Sequence, residues 1–153
     1  MKVQIIYASL TGNTEHIAYT INDVFENLGF EVAIDECTQV EAEAFLDADI
    51  CIVGTYTYGD DGADFLPYEM EALYDDLLEI DLTGKIFGVF GSGDTFYEEY
   101  CQAVDDFEKV LVNIGGIKGA ESVKVDLSPD DSDMVNIHQF VEHLVSSSKH
   151  QKN

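Results

Sequence analysis

The sequence predicts a three-layer α/β fold, a doubly wound sheet of five parallel strands with helices on both faces. Strand-length apolar runs alternate along the chain with stretches of helical periodicity, the mark of repeated strand–helix–strand units. Three polar, glycine-bearing segments, residues 9–14, 55–62 and 91–97, each follow an apolar run directly. All three therefore fall at the carboxyl edge of such a sheet, where ligands bind. At 153 residues and 46% hydrophobic content, the chain makes one domain able to bury a core without staples.

Lys2 to Ala8 is the first strand, apolar enough to be central. A helix opens at Asn13 with Ile17, Ala18, Ile21, Val24, Phe25 and Leu28 on one face, and Gly29 stands where its cap belongs. Phe30 to Ile34 alternates as a second strand, and the acidic stretch Asp35 to Glu43 leads into a short helix near Phe45. Ile50 to Gly54 is the most apolar strand candidate and belongs inside the sheet, with Cys51 a core thiol. The segment from Thr55 to Gly62 is too polar for a strand. Pro67 opens the next helix, whose inner face holds Met70, Leu73, Tyr74, Leu77 and Leu78. Lys85 to Phe90 is the fourth strand, followed by the third polar loop. A helix from about Glu99 to Ile114 buries Val104, Phe107 and Leu111 and ends at Gly115. A fifth strand near Ser122 to Val125, a turn at Pro129 and a helix from about Ser132 to Val145 complete a single domain over residues 1–146. Residues 147–153 read as a frayed tail.

Charge narrows the function classes. Seven Lys and no Arg face 31 acids, for a formal −24. Without Arg there is no bidentate clamp for phosphate, and nucleic acid and anionic membrane are poor partners. Between Asp60 and Glu108 fifteen acids stand against Lys85 alone, beside two of the polar loops. Acidity of this kind keeps a small protein soluble; its clustering favours a second reading, that it steers a basic partner protein. The chain has no run of bilayer length and no signal peptide. Its three cysteines lack CxxC spacing, so neither a disulfide framework nor a structural zinc site is indicated and a reducing, cytoplasmic location is expected; a monomer is the expected state.

In Ser9-Leu10-Thr11-Gly12-Asn13-Thr14 three hydroxyls, an amide and a glycine crowd together with no charge. An anion here must be held by backbone N–H groups, hydroxyls and the positive end of the helix. The P-loop and dinucleotide patterns are both missing; Gly91-Ser92-Gly93 has Phe96 where a third glycine is due. A helix cap alone would also explain the stretch, but not the two aromatic-bearing loops on the same edge. Tyr58 and Tyr97 each sit beside glycine and acid, placed to sandwich a flat heteroaromatic ligand. Asp60 and Asp94 would ring it with negative charge, and no set of oxygen ligands at fixed spacing makes either a metal ligand. His16, His138, His143 and His150 form no constellation, and no nucleophile with its base can be assembled.

These three segments resemble the flavodoxin family. Residues 9–14 match its phosphate loop T/S-x-T-G-x-T, Thr57-Tyr58-Gly59-Asp60-Asp61 its second flavin loop, and Gly91-Ser92-Gly93-Asp94 with Tyr97 and Cys101 its third. The resemblance covers roughly residues 2–145, and Val125 to Ser132 leaves no room for the insert of long-chain members, as in a short-chain flavodoxin. It implies the flavodoxin-like strand order 2-1-3-4-5, a sheet for which the crevice rule is commonly illustrated, so the crevice position comes with the family.

The resemblance further implies flavin mononucleotide (FMN), bound without a covalent link. Its phosphate would sit on Ser9, Leu10, Thr11, Gly12, Asn13 and Thr14. Thr57, Tyr58 and Gly59 would pack the inner ring face, with Thr55, Tyr56 and Asp60 also at the cofactor, and the Gly59 carbonyl would accept the N5 proton of the semiquinone after a peptide flip that glycine makes easy. Tyr97 would pack the outer ring face and Asp94 with neighbouring N–H groups would meet the pyrimidine edge, with Ser92, Gly93 and Cys101 also expected to bind the cofactor. The inner aromatic of the family is often Trp; here it is Tyr58. The implied function is not enzymatic: a low-potential one-electron carrier shuttling between semiquinone and hydroquinone. It would link a reductase to an iron–sulfur or radical enzyme, both with basic surfaces. A flavin reductase on this fold would need a second phosphate anchor that this Lys-poor segment lacks, and a phosphoacceptor receiver would need acids where Ala8-Ser9 and Gly54-Thr55 stand. An activation partner dedicated to one enzyme remains the alternative to a general carrier.

Overall fold

A computed structural model of the chain describes residues 1–9, 12–57, 67–93 and 101–152. The elements run β1 (Lys2–Tyr7), α1 (Asn13–Asn27), β2 (Glu31–Glu36), a 3-10 turn (Ala42–Asp47), β3 (Ile50–Tyr56), a second 3-10 turn (Tyr68–Met70) leading into α2 (Glu71–Leu77), β4 (Ile86–Gly93), α3 (Gln102–Asn113), β5 (Ile117–Lys118), β6 (Val123–Asp126) and α4 (Asp131–Lys152). Every strand pairing is parallel, in the order β2-β1-β3-β4, and β5 and β6 share the outer edge of β4. Counted as one position, they give the expected five-place order 2-1-3-4-5.

The sheet is covered on both faces, which is why its inner strands are apolar throughout. Ile5, Ile17, Phe25, Ile52, Phe90 and Phe140 pack under α1 and α4. Ile6, Phe45, Val53, Leu73 and Phe107 pack under α2, α3 and the first 3-10 turn. Cys51 lies fully buried there, its thiol donating to the Phe45 carbonyl at 3.6 Å.

Several boundaries differ from the sequence reading, and β2 runs on to Glu36 past the expected end at Ile34. Strands β3 and β4 run on through Thr55–Tyr56 and Gly91–Gly93, residues expected to be loop, because the ladder continues as Thr55↔Gly91 and Tyr56↔Ser92. The buried hydroxyls this brings into the sheet are satisfied within the protein, so polarity there is no bar to a strand. The fifth strand position is split, β4 spending Gly88 and Val89 where its partner spends Gly119 to Ser122. Helix α4 does not end near Val145 but continues to Lys152. Ser147 Oγ donates to the Gly119 carbonyl at 2.9 Å and Ser148 is buried, so the start of this stretch packs against the split strand.

Candidate functional site

Ser9 and the first turn of α1 gather uncharged hydrogen-bonding groups. Gly12 precedes the helix with φ +92°, a left-handed conformation open to glycine, and has no side chain to cap with. Ser9 caps instead: its Oγ accepts the N–H of Gly12 at 3.1 Å and of Glu15 at 3.2 Å. The N–H groups of Asn13 and Thr14, also in the first turn, have no intrahelical acceptor by construction. The donor set is neutral N–H and hydroxyl at the positive end of a fifteen-residue helix, chemistry that fits a phosphate dianion.

Thr14 turns inward. Its Oγ1 lies 2.7 Å from Ser92 Oγ, both buried, joining the first turn of α1 to the end of β4. Beside them, Gly93 accepts the N–H of Leu127 at 2.7 Å through its carbonyl, and Leu127 holds φ +57° to reach it.

The base of the second loop is tied from several sides. Thr57 donates its N–H to the Ser92 carbonyl at 3.3 Å, and its Oγ1 accepts the N–H of Ala103 at 3.1 Å. Thr55 Oγ1 donates to the Tyr56 carbonyl at 2.9 Å. The Tyr56 phenol donates to Glu69 Oε1 at 2.6 Å, and the Cys37 thiol donates to the Glu69 carbonyl at 3.3 Å. Thr55 and Tyr56 thus spend their hydroxyls inside the protein. Cys101, fully buried, precedes α3 in a left-handed conformation, φ +54°.

The structure therefore gathers Ser9, Gly12, Asn13, Thr14, Thr55, Tyr56, Thr57, Ser92, Gly93 and Cys101 around the carboxyl ends of β1, β3 and β4. Leu10, Thr11, Tyr58, Gly59, Asp60, Asp94 and Tyr97 lie outside the described residues. Glu69, Ala103 and Leu127 support the loop bases and were not singled out from sequence. Glu69 and Ala103 carry no signal beyond their helical surroundings, and a left-handed leucine has none at all.

The lysines gather toward one edge of the sheet, among acids such as Glu31, Asp49 and Asp81. Lys2 opens β1, Lys85 immediately precedes β4 and Lys118 pairs beside the second residue of β4, all toward the amino edge. Ser148 lines a cavity of about 420 Å³ with Met1, Asp49 and Lys85, which brings this part of α4, with Lys149 next in the chain, to that same edge. Lys124 lies farther toward the carboxyl edge and is paired with Asp105 at 2.8 Å. Glu15, Glu36, Glu69, Asp126 and Asp130 stand at or next to the carboxyl ends of the strands. No helix among the described residues is long and apolar enough to cross a membrane.

The flavodoxin family model matches residues 5–138. A flavodoxin structure from Streptococcus pneumonia TIGR4 is 53% identical with a TM-score of 0.91, covering 95% of this chain and 99% of the other. A short-chain flavodoxin associated with a bacterial microcompartment is 41% identical, also at 0.91, over 97% of this chain and 99% of the other. The probable flavodoxin 2 of Bacillus subtilis (strain 168) is 37% identical over 148 residues, 96% of each chain.

Proposed function

The chain belongs to the flavodoxin family of FMN-binding, non-enzymatic electron carriers, and from that premise we propose that it carries single electrons at low potential from a reductase to an iron–sulfur or radical enzyme in the cytoplasm. Bound FMN supplies the redox chemistry; the protein supplies the binding, the field around it and the docking face. The observation that carries this reading is the neutral cradle of Ser9, Gly12, Asn13 and Thr14, set on the same sheet edge as the Thr57 and Ser92–Gly93 loop bases.

Ser9, Leu10, Thr11, Gly12, Asn13 and Thr14 take the phosphate. Thr57, Tyr58 and Gly59 pack the inner ring face and Tyr97 the outer one, while Asp94 and neighbouring N–H groups meet the pyrimidine edge. Thr55, Tyr56 and Cys101 shape the walls from behind, given their buried or half-buried side chains. The acidic carboxyl edge works twice. It opposes the second electron, since one carboxylate about 10 Å away contributes about 0.4–1.7 kcal/mol of repulsion for an effective dielectric between 80 and 20. For a single electron, ~59 mV corresponds to ~1.4 kcal/mol, so several acids lower that potential appreciably. The same edge draws basic surfaces of the partner proteins toward the site.

Titrating FMN into the flavin-free chain tests the assignment. The expected result is quenching of flavin fluorescence at one equivalent, with riboflavin, which lacks the phosphate, binding more weakly. Equal affinity for the two flavins would remove the phosphate cradle from the account.

A further inference from the structure

We propose that Ser92 is a positioning residue for the phosphate end of the site, acting through Thr14, although its place in the third loop assigns it to the ring end. The inference rests on the phosphate assignment made above. Thr14 Oγ1 and Ser92 Oγ lie 2.7 Å apart, and the two residues are 1% and 5% exposed. They come from the first turn of α1 and the end of β4.

Each hydroxyl carries one proton, and only one of the two can lie between the oxygens. If Thr14 donates, its oxygen has only lone pairs left to present to the open N–H groups of its own helix turn. A bound dianion would meet repulsion there. If Ser92 donates, Thr14 keeps its proton for an acceptor at the helix N-terminus. Phosphate therefore selects the order Ser92 to Thr14 to phosphate. The Ser92 proton is then committed to Thr14 and serves no ring atom.

Removing the Ser92 hydroxyl leaves the Thr14 oxygen without the donor that orients it. The backbone at Ser92 is held separately, its carbonyl accepting the Thr57 N–H and its strand pairing with Tyr56 and Val125. The effect of Ser92→Ala therefore concentrates on the hydroxyl pair.

The test measures the affinities of FMN, riboflavin and inorganic phosphate for the flavin-free full chain, with wild type beside Ser92→Ala, Thr14→Val and the double variant. Ser92→Ala is expected to weaken FMN and inorganic phosphate by the same factor, about tenfold for the loss of one hydrogen bond to an ionic network, and to leave riboflavin unchanged. Thr14→Val should give the same split, and the double variant no further loss, because the two hydroxyls act as a unit. A Ser92→Ala chain whose riboflavin affinity falls while phosphate holds, or one in which all three affinities hold, overturns the proposal alone. A wild-type chain that takes up FMN no better than riboflavin overturns the phosphate assignment and the proposal with it.

Discussion

At Gly54 the chain has room for nothing beyond hydrogen, because a Cβ there would enter the ring of Phe90 on the neighbouring strand. Phe90 is fully buried and has no space to retreat into. Gly54→Ala is expected to destabilise the fold by about 1–3 kcal/mol, the usual effect of overpacking a core, measured as a lower urea midpoint at unchanged slope. Two thiols allow a second prediction at this scale. Burial, reinforced by Glu69 and Glu36, pushes the Cys37 thiol up to about 12. Burial also pushes Cys51 up to about 12, against the pull of Lys85. Since the thiolate is the reactive form, both should resist alkylation at pH 8 in the folded protein and react once it is unfolded. Modification of either in the native state would contradict their placement. Cys51 was legible as a core residue from its apolar neighbours. The Thr14–Ser92 contact was not, because no local pattern links residues 78 positions apart.

Helix α3 is fastened to the outer edge of the sheet by a small polar cluster. Glu108 accepts from Ser122 at 2.7 Å and meets Lys118 at 2.9 Å. Burial alone would raise the Glu108 carboxyl, but the Ser122 hydroxyl and the Lys118 ammonium outweigh it and hold the group below its ordinary 4.5. A carboxyl lowered in the folded state stabilises above its ordinary value and loses that contribution as pH falls through the folded one. Stability should therefore decline on acidification below about pH 4.5, and Glu108→Gln should flatten that decline, by no more than about 1 kcal/mol for so exposed a pair. Thermal melts of both chains between pH 3 and 7 read this directly. The end of α4 gives another test. Deleting residues 147–153 removes the Ser147 bond to Gly119 and the buried Ser148, so the melting temperature should fall; an unchanged melt would restore the frayed tail. Element order and type were readable because periodicity changes cleanly between strand and helix. The ends were not, since Thr55, Tyr56 and Ser92 look like loop until a parallel neighbour supplies their ladder.

Across the whole molecule, Lys2, Lys85 and Lys118 lie toward the amino edge, while acids stand at both edges, Glu31, Asp49 and Asp81 beside those lysines and Glu15, Glu36, Glu69, Asp126 and Asp130 at the carboxyl edge. The excess of acids was plain in composition, but its alignment with the site emerges only once the chain is folded. Because the carboxyl edge has acids with few lysines to offset them, basic partners should meet that edge preferentially, and the association rate should fall steeply as salt rises. Replacing Glu69 or Asp126 by the amide should slow association with a basic redox protein at low salt and matter little at high salt. The central claim is that this acidic edge surrounds a carrier of single electrons. Stepwise anaerobic reduction of the FMN-loaded chain, followed by visible and electron paramagnetic resonance spectra, tests it most directly. The account predicts that the first electron yields a radical form that accumulates, and that the second enters only at a distinctly lower potential, which rises as salt screens the acids. Entry of both electrons at one potential, with no radical at any stage, would contradict it.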